Sequence, residues 1–459
     1  MIPATNKKLL VTEDWTKIYQ SFQNADFKSY DFDTLRRASF KYLQESYPEQ
    51  FNDYIDSSEY VALIDLIAFL GQNLSFRIDL NARENFLETA QRKDSILRLA
   101  QLISYNPKRN TPASGLLKMT AVQTTDNIID NNNVNIANQI IGWNDPSNSN
   151  WYQQFILALN SAMPGGQAFG SPTASSTING ILTDQYRINS SITGVPAFNF
   201  FKPINGISMN FEVVSSTFDN ATTIYEETPL PGRQMAFMWR NDNQGAGSSN
   251  TGFFMMFKQG TLGNSTFTID TPVPNEIVGI NVKEINNTDV WLWQGGSTSD
   301  YQTEWSKVGA VTGNNVIYNS LQLGQRSVYS VASRLDDQID LNFADGNFGD
   351  LPKGKFTIFY RQSNGLQYSI APESMNSINV VIPYVNKAGE NHTLTLTLSL
   401  QYSVYNSAPS ESIASIKQKA PQNYYIQNRM ITGEDYNIAP VTVASDILKV
   451  KSINRQSSG

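Results

Sequence analysis

At Thr111 the hydrophobic pattern of this chain changes period, and that change limits the possible folds more than any other feature. Before it, apolar residues recur every three or four positions. After it, short runs alternate apolar with polar. The first period belongs to helices with one buried stripe and the second to half-buried strands, so a single architecture cannot serve both parts.

The helical part can be divided by its caps and breakers. Thr12, followed by Glu13 and Asp14, reads as a helix start with acids in the first turn. A second helix is expected from about Asp33, carrying Leu35, Phe40, Leu43 and Tyr47 and stopping before Pro48. A third is expected from Asp56, where Glu59 three residues on completes a capping-box arrangement. Tyr60, Leu63, Ile64, Ile67, Leu70 and Leu74 follow the helical period and are its expected apolar stripe. More helix is expected through Phe86, Ile96, Leu99, Ala100 and Ile103, ending at Asn106-Pro107.

From Thr111 onward, strand-like runs fall at Leu116–Thr124, Met209–Val214, Met235–Trp239, Phe253–Phe257, Ile277–Val282, Val290–Trp293, Gln338–Phe343, Lys355–Arg361 and Thr393–Leu400. Clusters of Gly, Asn, Asp, Ser and Pro separate them. Residues 137–230 read as an insertion. Trp151, Tyr152, Phe155, Ile156 and Leu159 form one amphipathic helix there, and a Ser/Thr/Gly-rich surface loop follows to about Gly194. Near the end, Ser410 is placed to cap a short helix carrying Ile413, Ile416 and Ala420, with Pro421 ending it. A second capping signal at Thr432-Gly433-Glu434-Asp435 opens a helix that ends by Pro440, and Val441–Ser452 reads as a strand. A lone terminal strand is a poor place to end a domain, so a further C-terminal part is expected.

These readings give an α+β multidomain chain: a helical N-terminal region (1–110), a β-rich domain (111–330) with an insertion at about 137–230, a β domain with a hairpin (331–405), and the start of a C-terminal α/β domain (406–459).

Composition narrows the chemistry. The net charge is −7, which argues against general nucleic-acid binding, since that needs Lys and Arg to neutralise phosphates. There is no cysteine, which removes disulfides, zinc–thiolate sites and cysteine nucleophiles. The longest apolar stretch, Val61–Leu70, contains Asp65 and is too short to span a bilayer, so no membrane insertion is expected. The only histidine, His392, precedes the alternating Thr393–Leu398 and reads as a solvated residue at a strand end rather than a member of a catalytic triad. Asp336–Gly346 invites a calcium-loop reading. Counted from Asp340, the fifth, sixth and twelfth positions are Ala344, Asp345 and Leu351, so the loop template fails at three places. A hairpin with its turn at Asp345-Gly346 and its second strand from Lys355 fits better. No phosphate-binding glycine motif is present, and no cofactor is expected. Trp291 and Trp293 share one face of a strand, where core packing or a subunit contact is favoured over sugar stacking.

Two segments resemble a known family. Phe343-Ala344-Asp345-Gly346-Asn347-Phe348-Gly349-Asp350-Leu351-Pro352-Lys353-Gly354 is similar to the glycine-rich hairpin of baseplate J-like proteins, with Ala344 where that pattern has Gly. Glu411-Ser412-Ile413 through Lys417, Ala420-Pro421 and Asn428-Arg429-Met430-Ile431-Thr432-Gly433-Glu434-Asp435-Tyr436 resembles the family's second motif, with Lys417 in place of Arg. The helical opening, with Tyr30–Asp33 and Asn85–Ala90, resembles the gene-six-type baseplate wedge subunits of T-even-like contractile-tailed phages.

The resemblance implies a structural, non-enzymatic subunit of the virion tail baseplate, assembled in the host cytoplasm. It would pair with a second copy of itself and clamp other wedge subunits and the sheath-initiating tail protein. It would form the inner baseplate ring and rearrange when sheath contraction is triggered. The motif residues Asp345, Gly346, Gly349, Pro352, Gly354, Pro421, Arg429, Thr432, Asp435 and Tyr436 are then structural: Thr432 caps a helix, Arg429 and Asp435 are available as an ion pair, and Tyr436 packs in the core. Two other classes fit the composition, a β-rich tail receptor- or glycan-binding protein and a tail-associated glycosidase with paired carboxylates in a cleft.

Overall fold

The computed structural model describes residues 31–46, 59–295, 301–311, 326–347, 349–426, 433, 436–437 and 450–453. The helix expected from Thr12, the start at Asp56, Arg429, Thr432, Asp435, the stop at Pro440 and residues 441–449 of the expected last strand lie outside the described residues. The chain divides into two compact units. One comprises Met1–Asn106, Ser412–Thr442 and Val450–Gly459, the other Pro107–Glu411 and Val443–Lys449.

The first unit is helical. Helix α1 (Phe32–Ser46) opens with the Asp31 carboxylate accepting the Thr34 amide at 2.8 Å, which satisfies one of the free N-terminal donors. That bond, with the Thr34 side chain, holds the Asp31 carboxyl below its usual value. Helix α2 (Glu59–Glu84) buries Val61, Ile64 and Ala68. The chain then turns rather than continuing as helix. The Glu84 carboxylate accepts the Gln91 amide at 2.9 Å and the Arg92 amide at 3.2 Å, and α3 (Lys93–Leu102) starts there. Much later in sequence, α5 (Ile413–Ile426) sets Ile416 and Ala420 into one small core with Ala90, Ile96, Leu97, Ala100 and Tyr105. Its cap is Ser412, whose Oγ accepts the Ser415 amide at 3.2 Å, rather than Ser410 as expected. Pro421 does not end this helix as the sequence suggested. It lies inside it, where the burial of Ile416 and Ala420 outweighs the single backbone hydrogen bond that a proline removes.

The second unit is β-rich, and its elements follow in chain order. They are β1 (Ser114–Thr124), β2 (Ile141–Gly142), helix α4 (Trp151–Ser161), β3 (Ala174–Ile178), β4 (Ile181–Ile188), β5 (Ala197–Ile204), β6 (Ile207–Val214), β7 (Ser216–Phe218), β8 (Ile224–Glu226), β9 (Met235–Asn241) and β10 (Gly252–Gln259). They continue with β11 (Thr261–Ile269), β12 (Ile277–Ile280), β13 (Ile285–Gln294), β14 (Thr303–Lys307), β15 (Val328–Ser333), β16 (Ile339–Phe343), β17 (Gly354–Gln362), β18 (Ile378–Val385) and β19 (Asn391–Leu400). Among the described residues, one sheet runs β18-β19-β1-β10-β9-β4-β3, with β2 beside β1 and β6-β5 beside β10. A second runs β11-β17-β13-β14-β15-β16-β12. Helix α4 closes the core of the first sheet, with Phe155 stacked on Phe253 at 5.8 Å.

The expected insertion at 137–230 is part of this core. Its Ser/Thr-rich stretch forms β3 and β4, and β4 pairs along its length with β9. A boundary at residue 330 would cut β15 in two and separate β18 and β19 from β1, their neighbour in the first sheet. The expected β16–β17 hairpin is also absent, because β13, β14 and β15 lie between those strands. Local turn residues mark where a chain reverses but say nothing about which distant strand will pair.

Gly260 is the single residue between β10 in the first sheet and β11 in the second. Its φ is +108°, and a Cβ there would lie 2.1 Å from the Gln362 carbonyl oxygen, so only glycine can carry the chain across.

Candidate interaction surface

Helix α2 positions the candidate site. Its buried residues Val61, Ile64 and Ala68 are spaced three and four apart and make one narrow stripe. Arg36 of α1 reaches across to Asp65, Nε to Oδ1, at 2.6 Å. Gly71 continues the stripe, where a Cβ would meet Leu35 at 3.2 Å. A second stripe, Leu63, Ile67, Leu70, Leu74 and Ile78, lies about a quarter-turn further round at 100° per residue. Those five side chains are 52–66% exposed, and Leu66, Phe69 and Phe76 are about as exposed on the remaining side.

This reverses part of the sequence reading. Ile64 is buried as expected, but Leu63, Ile67, Leu70 and Leu74 face out. The helical period identifies apolar positions without identifying what covers them. Among the described residues α2 is also the one helix long and apolar enough to cross a membrane by length and composition, over Val61–Glu84. The expectation from Val61–Leu70 alone was too short because the apolar character resumes beyond Gln72 and Asn73.

The motif residues are spread over both units. Gly346 has φ +87° and packs under Leu351. A Cβ on Gly349 would lie 2.6 Å from that of Ala344 and 3.1 Å from the Arg326 carbonyl oxygen. Asp345 accepts the Asn347 amide at 2.9 Å, Pro352 is buried, and Gly354 opens β17 with φ +95°. The side chain of Arg326 donates to Asp350 at 3.0 Å and to the Gly346 carbonyl at 3.3 Å, which pins the loop from both ends. Tyr436 is 49% exposed and does not pack in a core.

A set of charged residues that the sequence did not reveal lies between the two sheets of the β unit. Arg361 on β17 is fully buried. It pairs with Glu212 on β6, with Glu226 on β8 at 2.7 Å and with Asp289 on β13 at 3.4 Å. Lys258 on β10 donates to Asp289 at 2.5 Å and lies 3.2 Å from Glu226. The Glu212 carboxylate also accepts the Leu262 amide at 3.0 Å. Burial pushes the Asp289 carboxyl up, but Lys258 and Arg361 outweigh it and hold it at about 2. Burial wins at Glu226, whose carboxyl is raised. Trp293 is buried, its indole N–H donating to the Pro229 carbonyl at 3.0 Å.

His392 stands at the start of β19, as expected, and is partly exposed. Its side chain is 16% exposed and faces Asp126 and Glu390.

Two family models match the chain. Residues 115–403, more than half of its length, match the model described as "Domain of unknown function (DUF8360)". The chain belongs to that family. Residues 31–102 match the model described as "Bacteriophage baseplate protein, N-terminal domain", a stretch that takes in α1, α2 and α3. A baseplate domain here points to a structural role in a phage baseplate, as a component of the virion tail that associates with other baseplate proteins. No curated protein matches the chain.

Proposed function

We propose that this protein is a non-enzymatic wedge subunit of a contractile-tail baseplate, and that the open apolar stripe of α2 is where it joins its partners. The observation that carries the reading is the position of that stripe: it lies inside the segment that matches a baseplate N-terminal domain. A helix that is apolar on more than one face and covered on only one is built to be buried in a bundle. In this proposal the bundle is completed by helices of a second copy and of other wedge subunits, and the β unit then contributes to the inner ring together with the sheath-initiating protein. The non-enzymatic part is supported by the buried carboxylates. Glu212, Glu226 and Asp289 are held by Arg361 and Lys258 in the interior of the β unit rather than facing a cleft.

The test is co-expression of the full chain with the other baseplate proteins of the same phage. Ile67→Asp combined with Leu74→Asp replaces two exposed residues, so folding by circular dichroism is expected to be retained while co-purification falls at least tenfold. Undiminished assembly of the double variant would overturn the proposal. Flotation of the wild-type chain with lipid vesicles, lost in the same variant, would put a membrane in place of the partner protein. Hydrolysis of host polysaccharide, lost on a carboxylate substitution, would overturn the non-enzymatic part.

A further inference from the structure

The turn between β18 and β19 brings three side chains of different chemistry to one point. His392 Nε2 lies 3.3 Å from Asp126 Oδ1 and 3.4 Å from Glu390 Oε2. All three ligand-type atoms lie within 4.8 Å of one another. Asp126 follows the end of β1, Glu390 immediately precedes β19 and His392 is its second residue, so the cluster joins two segments far apart in sequence.

The surroundings are built to hold these groups. The Asn386 side-chain amide donates to both carboxylates, at 3.2 Å to Asp126 Oδ1 and 3.2 Å to Glu390 Oε2. Its own carbonyl oxygen accepts the Ala388 and Glu390 amides at 3.0 and 2.8 Å, which fixes the orientation of the side chain. The Tyr384 hydroxyl lies 3.5 Å from the other oxygen of Asp126. On the far side of the ring, Thr125 Oγ1 lies 3.4 Å from His392 Nδ1 and is positioned to accept its proton.

In the tautomer with its proton on Nδ1, toward Thr125, the Nε2 lone pair faces two carboxylate oxygens. A cation between the three atoms satisfies that arrangement. The two separations from Nε2, 3.3 and 3.4 Å, are close to the edge of a tetrahedron around an ion with bonds of about 2.0–2.1 Å, where ligands sit about 3.3 Å apart. One imidazole and two carboxylates suit a borderline divalent transition ion better than calcium or magnesium, which take a shell of oxygens.

We infer that Asp126, Glu390 and His392 form a structural site for a divalent transition-metal ion of the zinc type. The ion would tie the β18–β19 turn to the end of β1. The sequence makes the site easy to isolate: the chain has one histidine and no cysteine, so a site with an imidazole ligand must use His392 and none can use a thiolate.

The test uses the full chain, stripped with a chelator and dialysed against zinc at micromolar concentration. The expected result is one zinc per chain, a higher melting temperature with zinc than without, and a visible absorption spectrum of low-coordinate geometry when cobalt(II) replaces zinc. His392→Gln and Glu390→Gln are each expected to weaken zinc binding at least tenfold and to abolish the melting shift. The Glu390 side chain is 68% exposed, so Glu390→Gln keeps its fold and reports on the site even if His392→Gln does not. Absence of stoichiometric zinc in the wild-type chain, or wild-type affinity in Glu390→Gln, would overturn the inference.

Discussion

The helical unit and the β unit put the wrong kind of residue in the wrong place, in opposite directions. Helix α2 leaves Leu63, Ile67, Leu70, Leu74 and Ile78 in water, each forgoing about 1 kcal/mol of the stabilisation that full burial supplies. The β unit takes Arg361, Lys258, Glu212, Glu226 and Asp289 out of water. The difference lies in whether the cost is met within the chain. The buried charges have partners on strands of the other sheets in the same unit, so their cost is met there. The exposed stripe of α2 has no such partner among the described residues, and under the proposed function its cost is offset only on assembly. One region is therefore expected to respond to mutation in isolation and the other only in the particle.

The largest effect should come from breaking the buried network at its centre. Arg361→Met takes the cation from Glu212 and leaves Glu226 and Asp289 sharing one, Lys258, in the interior. Removal of one partner from a buried ion pair costs about 3–5 kcal/mol, because the charge left behind has neither water nor a counterion. Urea unfolding of the variant should show a loss of that size. A loss below about 1 kcal/mol would mean that water reaches the network and that the β unit is less self-contained than its burial indicates.

How much of this contrast could be read from the sequence differs by element. Strand β19 was legible because Thr393–Leu398 alternates strictly and one face of the sheet is buried. Strand β3, Ala174–Ile178, was not, because it is an edge strand of small polar residues without an apolar face and so reads as loop. The spacing of the α2 stripes was legible, but which stripe is covered was not, since cover depends on α1 and on partners rather than on period. The charge network was invisible for a different reason. Glu212 and Arg361 are far apart in sequence and on different sheets, and only the packing of one sheet against the other brings them together. Asp345-Gly346 is legible as a turn and the tight packing around Gly349 explains the motif, yet β16 and β17 pair with other strands.

An intermediate effect should appear on acidification. Asp289 is held at about 2 against a usual value of 3.8. A carboxyl whose folded value is lowered contributes stability above its unfolded value and loses it as the pH falls. The window is therefore from about pH 4 down to about pH 2, and the loss attached to this buried group is on the order of 2 kcal/mol. Glu226 is shifted the other way, so its contribution is present at low pH and is lost as the pH rises through its raised value. Glu226→Gln removes the third carboxylate and leaves Arg361 and Lys258 facing two, so the variant should be as stable as the wild type at neutral pH or more so. Denaturant unfolding at a series of pH values measures both. A flat profile between pH 4 and 2 would count against Asp289 as a paired anion.

The smallest effect is expected where the apolar residues are largest, and that is what makes the comparison informative. Ile67→Ser and Leu74→Ser remove side chains that are already more than half in water. Exposed substitutions of this kind stay within about 0.5 kcal/mol, and a helix interior tolerates serine at a cost of a few tenths. The melting temperature of the isolated chain should therefore stay close to wild type. If either variant instead loses 2 kcal/mol or more, the stripe is covered within the chain itself, the contrast between the two units disappears, and α2 becomes an ordinary core helix rather than a surface held open for a partner.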